Sequence, residues 1–288
     1  MDLGKFVKES KPTITQFRPP LSYELAGKSF NFLMDDGFDY SLTVIDGNTV
    51  EWSWKGETAQ ETDYLCAKAD ETTYLFSYEL HGREPRENHT FVIDLENWLV
   101  TRIQSIVGEN PRYPYVIKPK YEFGMIEREG VPYCIYPRHG FTSDMVGNVV
   151  QWNYGMMSTV HIYYCTDFYR ITYPPENEAT RTINEAVESL PSSDEPTAYI
   201  KIKEGLYLFS LTESNSEKLL GDRMPLRSNT MCMLQNYKRM YQVGRTFGTR
   251  TGGDSVQSLH LFFGAYGKIR TEDERFQHFL KDPNPFLV

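Results

Sequence analysis

The chain has 288 residues, a length that suits two domains better than one because domains cluster near about 100–150 residues. Its 40% hydrophobic and 24% charged residues exclude a disordered chain, which lacks the apolar surface to offset the entropy of ordering. The net charge of −9 argues against a general nucleic-acid binder, since phosphate backbones select basic surfaces.

Targeting signals are absent from the sequence as given. No apolar run approaches the roughly 20 residues of a membrane-spanning helix, and the N-terminus lacks the apolar stretch of a signal peptide. We therefore expect a cytoplasmic protein with no membrane partner. The four cysteines, of which no two are closer than 31 residues, lack zinc-site spacing and predict free, mostly buried thiols and no metal.

Alternation of apolar and polar residues predicts strands along most of the chain. In Ser29–Met34, for example, Phe30, Phe32 and Met34 share one face. Further alternating stretches are Thr49–Trp54, Val149–Tyr154, Val160–Cys165, Phe168–Tyr173, Tyr199–Lys203 and Tyr237–Val243. Turn residues separate several of them at intervals of about ten residues, which is typical of a sandwich or barrel. Only residues 178–190 show a helical period, so we predict one short helix there.

An internal repeat divides the chain into two halves. Gly27 and Gly147 precede similar alternating strands 120 positions apart, and Tyr74-Leu75-Phe76-Ser77 recurs 133 positions later as Tyr207-Leu208-Phe209-Ser210. The Pro-rich segment Pro111–Pro137 reads as the connection between them. We predict domains 1–137 and 138–288, each a small barrel whose inward side chains line a pocket or fill it.

Most of the chain, and the second half more strongly, carries a resemblance to a known family. The residues concerned are Arg138–Gly147, Trp152-Asn153-Tyr154, His161-Ile162-Tyr163 and Gly205–Glu213. They resemble the MoaF-like family, labelled "molybdenum cofactor biosynthesis protein F". That resemblance implies an all-β fold of two tandem antiparallel calycin- or lipocalin-like barrels. The label does not give a function, because the sequence has no Gly-rich phosphate loop and no metal-ligand cluster.

A more distant similarity is to phenolic acid decarboxylases, which are also calycin barrels. Their opening strand carries a Tyr-x-Tyr pair, where this chain has Trp152 and Tyr154, and a later strand reads Trp-Thr-Glu, where it has Leu211-Thr212-Glu213. The similarity carries Tyr154 and Glu213 over as site residues. The decarboxylase Arg has no secure counterpart, which puts decarboxylation itself in doubt.

Candidate catalytic residues are Glu213, Tyr154 and His161. Glu213 follows an apolar strand whose inward face includes Tyr207 and Phe209, so burial should raise the pKa of its carboxyl. The alternative places Glu213 exposed at the rim. Tyr154 would hold a ligand oxygen and His161 would shuttle a proton, although both also fit plain packing.

Candidate substrate-binding residues come from several segments. They are Trp152, Tyr207, Phe209, Arg239, Tyr241 and His139. Arg239 and Tyr241 would share one face of the strand Tyr237–Val243, and His139 would be a loop residue pinned onto the barrel. Trp52, Trp54, Tyr78 and Glu79 are the counterparts in the first half, where a filled barrel is favoured. The segment from His81 to His89 reads as a solvated turn.

The predicted function is a cofactor-independent enzyme that binds a small planar hydrophobic substrate, aromatic or polyketide-like. The chemistry would be that of a lyase or an isomerase/cyclase, by acid/base catalysis. The alternatives are a non-catalytic carrier or sensor of the same ligands and a structural pair of filled barrels. Exposed strand edges would also allow a homodimer.

Overall fold

The computed structural model describes residues 14–108, 117–155, 157–173, 192–214, 226–252 and 255–281. These residues form seventeen strands and one helix. The predicted all-β class with two tandem antiparallel barrels is confirmed. The helix that we predicted over residues 178–190 lies outside the described residues. Among those that are described, no helix combines the length and apolar character that crossing a membrane requires.

The N-terminal barrel consists of eight antiparallel strands in sequential order, and pairing of its first strand with its eighth closes it. The strands are β1 (Ser29–Met34), β2 (Asp39–Val44), β3 (Thr49–Trp54), β4 (Gln60–Lys68), β5 (Thr73–Glu79), β6 (Glu87–Asp94), β7 (Leu99–Ile106) and β8 (Lys120–Ile126). The prediction that Pro111–Pro137 is only a connection is wrong, because β8 lies within it. The boundary at 137/138 falls after β8 and stays a prediction.

The C-terminal barrel repeats this plan and adds a short strand. Its strands are β9 (Gly140–Phe141), β10 (Val149–Asn153), β11 (Ser158–Ile162), β12 (Phe168–Thr172), β13 (Ser193–Lys203), β14 (Leu206–Thr212), β15 (Leu226–Asn236), β16 (Tyr241–Gly252) and β17 (Ser255–Ile269). Strands β10–β17 close through the pairing of β12 with the first part of β13, while β9 pairs with its last part. The helix α1 (Glu274–Lys281) covers β10 and β11 from outside.

Three apolar clusters follow from strand alternation. One fills the N-terminal barrel and includes Phe32, Trp52 and Phe91. A second lies inside the C-terminal barrel and includes Trp152 and Phe209. The third joins the outer faces of the two barrels. It consists mainly of Ala67, Leu75, Val92, Ile103, Ile200, Leu208, Cys232, Leu234, Val243 and Phe262. The barrels are therefore packed wall to wall.

Strand β6 lies in the centre of this contact, and all eight of its residues are buried. Its inward residues, including His89 and Phe91, face the interior of the N-terminal barrel. Its outward residues face the other barrel: Val92 packs in the shared cluster, and Thr90 accepts a hydrogen bond of 3.0 Å from Arg245 Nε. One strand thus serves both the barrel interior and the contact between barrels.

Candidate functional site

Glu213 lies directly after β14, at one end of the C-terminal barrel interior. The alternation that buries Phe209 and Leu211 carries its side chain to the inner face, where it is partly buried. Its carboxylate accepts a hydrogen bond of 2.9 Å from Asn229 Nδ2. Thr246 donates to Asn229 Oδ1, which orients the amide so that its NH2 group faces the carboxylate.

Burial raises the pKa of the Glu213 carboxyl to about 7. The Asn229 hydrogen bond opposes that rise in pKa, and the charge of Glu195 adds to it. Glu195 on β13 is itself buried and accepts a hydrogen bond of 2.7 Å from the Ser214 amide. Two carboxyl groups therefore occupy this end of the barrel, and the one with the raised pKa exchanges a proton readily near neutral pH.

Tyr154 lies near Glu213 without a direct hydrogen bond to it in the described part of the chain. Burial raises the pKa of Tyr154 to about 12, and the charge of Glu213 contributes to the rise. Gln242 Nε2 donates to the Tyr154 hydroxyl oxygen at 2.9 Å. Burial also raises the pKa of Tyr169 and Tyr173, with smaller contributions from the charges of Glu195 and Glu213. Three buried phenol groups are thus close enough to the carboxyl group to feel its charge.

A hydrogen-bond network joins two further predicted residues, Trp152 and His161, to this end. Gln235 Nε2 donates both to Gln242 Oε1 at 2.9 Å and to the Tyr163 hydroxyl at 3.0 Å. Trp152 Nε1 donates to the same hydroxyl at 3.3 Å, and His161 Nδ1 lies 3.3 Å from it. The structure therefore brings Trp152, Tyr154 and His161 into one network, with Tyr163 and the two glutamines as links that sequence reasoning missed.

His161 is fully enclosed by aromatic rings. Its ring centroid lies 5.0 Å from that of Tyr169 and 5.6 Å from that of Phe209. Burial lowers the pKa of His161 to about 3, so the imidazole is neutral at physiological pH. Its Nε2 lies 3.0 Å from Thr159 Oγ1. In this position His161 orients Tyr163 and helps to form an aromatic wall with Phe209.

Arg239 and Tyr241 lie away from this interior. Arg239 is exposed in the turn before β16, where it forms an ion pair with Glu71 of the other barrel. Tyr241 begins β16 on the outer face, and its hydroxyl donates to the Phe17 carbonyl at 2.8 Å. The predicted strand Tyr237–Val243 is therefore wrong in its first four residues, which form the turn, and the two side chains do not share an inner face.

Tyr207 and His139 are also distant from Glu213. Tyr207 shares the inner face of β14 with Phe209 but lies at the opposite end, where its hydroxyl donates to Asp144 at 3.3 Å. His139 is buried against the N-terminal barrel: its Nδ1 lies 2.8 Å from Thr101 Oγ1 and its Nε2 lies 3.6 Å from Asp94. His139 therefore pins the connecting segment, but onto the other barrel.

The N-terminal barrel holds its own polar cluster, which we call the inner relay: Tyr78, Tyr40, His89, Glu87 and Gln104. The Tyr40 and Tyr78 hydroxyls are hydrogen-bonded, and Tyr40 lies 2.6 Å from His89 Nδ1. His89 Nε2 lies 2.7 Å from Glu87 Oε1, which also accepts a bond from Gln104. The predicted solvated turn is wrong at this point, because His89 belongs to β6 and is buried.

The other residues that we predicted to line the N-terminal barrel lie on both faces of its wall. Trp52 is buried inside, with its ring centroid 5.9 Å from that of Tyr78. Glu79 points outward and pairs with Arg86 at 2.6 Å. No alternation of apolar and polar residues marks Glu87–Asp94, because both faces of this strand are buried, and sequence reasoning therefore missed the relay strand.

Comparison with known proteins finds a family match within the first half of the chain. Residues 9–109 match the family model of the MoaF N-terminal domain, a stretch that contains β1–β7. No curated protein matches the chain. The similarity to phenolic acid decarboxylases stays a prediction. The match of its N-terminal barrel supports the predicted resemblance to the MoaF-like family.

Proposed function

We propose that the C-terminal barrel is a cofactor-independent acid/base site for a small planar, largely apolar molecule, aromatic or polyketide-like, of the kind made in secondary metabolism. The reaction would be that of a lyase or of an isomerase/cyclase. The observation that carries this proposal is the Glu213 carboxyl, with its pKa raised to about 7, at an interior end lined by tyrosine rings.

The roles follow from the geometry of the site. Glu213 gives or takes the proton, and Asn229 holds its carboxyl in one orientation through the 2.9 Å hydrogen bond. The Tyr154 hydroxyl, fixed by Gln242, binds an oxygen of the substrate. Trp152 and Phe209 form walls that stack against a planar ring. Such a pocket excludes water and holds the substrate in a reactive pose.

The cellular setting is also a proposal. The four cysteines are free, and Cys66 and Cys232 are buried as thiols, which agrees with a reducing compartment such as the cytoplasm. Burial raises the pKa of both thiols, so they act as packing groups rather than nucleophiles. Pairing of two chains into a homodimer stays a prediction.

The experiment is untargeted mass spectrometry of a host metabolite extract incubated with the protein. The wild type, Glu213→Gln and the control Glu204→Gln are compared, because Glu204 is exposed in the turn between β13 and β14. We expect a compound that the wild type and the control consume and Glu213→Gln spares. The mass change then separates loss of carbon dioxide or water from isomerisation.

Two outcomes contradict the proposal. Equal consumption by all three proteins removes Glu213 from the chemistry. Retention of a compound by all three, without any turnover, favours the carrier function, which needs the aromatic walls but no carboxyl with a raised pKa. Binding is then measured with compounds purified from the extract, as a rise in the melting temperature of the protein. A ligand that binds only the folded state raises this temperature.

A further inference from the structure

The inner relay of the N-terminal barrel is a second concentration of buried polar groups, and the function proposed above does not use it. Its members belong to β2, β5, β6 and β7, on the walls of the other barrel. Tyr40, Tyr78 and His89 are fully buried. Burying polar groups costs free energy that an apolar interior would avoid, so a connected polar cluster inside a barrel calls for a function.

The hydrogen bonds of the relay have one consistent direction. Hydrogen bonds from His89 and Gln104 outweigh burial and lower the pKa of Glu87 to about 2, so its carboxylate only accepts. The proton of His89 is then on Nε2, and its Nδ1 accepts from the Tyr40 hydroxyl. Tyr40 in turn accepts from Tyr78. The chain therefore runs from the Tyr78 hydroxyl through Tyr40 and His89 to the Glu87 carboxylate.

Arg102 lies beside the tyrosine end of this chain. Its guanidinium carbon is 5.6 Å from the centroid of the Tyr40 ring and 4.2 Å from that of Trp54. Its Nε donates to Glu122 at 2.9 Å, which leaves Nη1 as a buried donor without a partner in the described part of the chain. Trp54 Nε1 is likewise buried and unpartnered among these residues.

Two hydrogen-bond donors without acceptors, next to a proton relay, form an arrangement that could stabilise an oxyanion. Buried donors are nearly always hydrogen-bonded, so Arg102 Nη1 and Trp54 Nε1 call for an acceptor. The charge of Arg102 also acts on both tyrosines, since it lowers the pKa of Tyr40 and of Tyr78 against the larger effect of burial. Donors, charge and relay thus converge at one end of the barrel.

We propose that this end of the N-terminal barrel is a second site, which binds a small planar carbonyl compound with an acidic α-hydrogen and moves that hydrogen through Tyr78. The carbonyl oxygen accepts hydrogen bonds from Arg102 and Trp54. The indole of Trp54, which is partly exposed, borders the site edge-on with its Nε1 toward the ligand. This site is independent of Glu213.

The proton transfer balances without a further reactant. The C–H bond of the ligand breaks, its proton binds the Tyr78 oxygen, and its electron pair moves to the carbonyl oxygen to give an enolate beside Arg102. Tyr78 passes its own proton to Tyr40, and Tyr40 passes its proton to His89 Nδ1. Glu87, 2.7 Å from His89 Nε2, offsets part of the cost of burying the imidazolium so formed. Return of a proton to a different carbon completes an isomerisation.

The first experiment uses 4-nitrophenol, whose phenolate mimics the enolate and whose absorbance reports its protonation state. We expect the wild type to bind it saturably, largely as the phenolate. Arg102→Lys keeps a charge for Glu122 but removes the Nη1 donor, and should weaken binding at least tenfold. Tyr78→Phe should change the bound phenolate fraction severalfold. The control is Tyr64→Phe, because the Tyr64 hydroxyl donates to the Asp46 carbonyl and is not part of the relay, and it should behave as the wild type.

The second experiment measures hydrogen–deuterium exchange at the methylene group of phenylpyruvate by NMR. The wild type should accelerate exchange at least tenfold over buffer, and Tyr78→Phe should lose most of that acceleration. Glu213→Gln should retain both nitrophenol binding and exchange. Loss of binding in Glu213→Gln would assign the probe to the C-terminal barrel and overturn the proposal. Failure of the wild type to bind nitrophenol, or to exchange phenylpyruvate, would overturn it as well.

Discussion

Leu80 and Glu213 occupy the same position in the two barrels. Each follows the strand that carries the repeated Tyr-Leu-Phe-Ser sequence, with the offset of 133 that separates Tyr74 from Tyr207. Each backbone amide donates to an inward residue of the next strand, Leu80 to the Glu87 carbonyl at 2.9 Å and Glu213 to the Asn229 carbonyl at 3.1 Å. The two barrels therefore place polar groups at corresponding ends, but on different strands.

Acid should destabilise the protein well above the pH at which carboxylates titrate. Burial lowers the pKa of His89 to about 4 and that of His161 and His260 to about 3, and it lowers that of His139 too. The unfolded chain binds more protons than the folded one below about pH 6.5, so stability falls from there toward pH 4. Urea unfolding at pH 7, 6, 5 and 4 measures this loss of stability. A urea midpoint that stays constant over this range would contradict the prediction.

Glu213→Gln should remove the contribution of this carboxyl to the pH dependence of stability. The folded pKa of about 7 exceeds the ordinary value of 4.5, so the stability that the neutral carboxyl gives is present below pH 4.5 and is lost as the pH rises to about 7. The amide does not ionise, so the variant should gain on the wild type by on the order of 1–3 kcal/mol between pH 5 and pH 8. Glu204→Gln serves as the control, and an equal gain there would contradict the assignment.

Lys203 should be the ion-pair residue on which the contact between the barrels depends most. Its Nζ lies 2.9 Å from Asp70 and 2.7 Å from Glu96, and 3.9 Å from the fully buried Asp94. Lys203→Met leaves these carboxylates without their cation and should cost about 2–4 kcal/mol in free energy of unfolding.

Lys201→Met is the matched control for that substitution. Lys201 lies two residues away on the same strand and pairs with Asp144 and Glu204, but all three side chains are exposed. Exposed pairs contribute about 0–1 kcal/mol. Denaturant unfolding of both variants measures the difference. Equal losses would show that the network around Lys203 is no stronger than a surface pair.

The helix α1 should stabilise the C-terminal barrel from outside. Phe276 packs on Val149, Val160 and Ile162, the outward residues of β10 and β11. Phe276→Ala should therefore cost about 3–4 kcal/mol. Phe141→Ala is the control because Phe141 is 63% exposed, and it should change stability by about 0.5 kcal/mol at most. Thermal unfolding compares the two, and a small effect at Phe276 would contradict the packing role.

Sequence patterns predicted correctly the strands that have one apolar and one polar face. β1 and β3 have the predicted bounds, because Phe30 and Trp52 alternate with polar residues. The pattern failed where both faces are buried, as in β6, since burial on both sides removes the alternation that marks a strand.

Only part of the candidate site could be predicted from the sequence, for a related reason. Glu213 and Tyr154 were found because one is a carboxyl after an apolar strand and the other belongs to an alternating strand. Glu195, Gln242 and Asn229 were missed, because their positions beside Glu213 or Tyr154 depend on the closure of the barrel through β12 and β13. No local pattern encodes that closure.

The buried strand β6 limits how this chain can be divided. Its backbone separates the inner relay from the contact with the C-terminal barrel by the thickness of a single strand. Residues 1–137 produced alone would expose Leu75, Val92 and Ile103 to water, together with hydrogen-bonding groups such as Thr90 that meet Arg245 in the whole chain. We therefore expect the part that matches the MoaF N-terminal domain to be less stable alone than beside the C-terminal barrel, so its barrel is best studied in the whole chain.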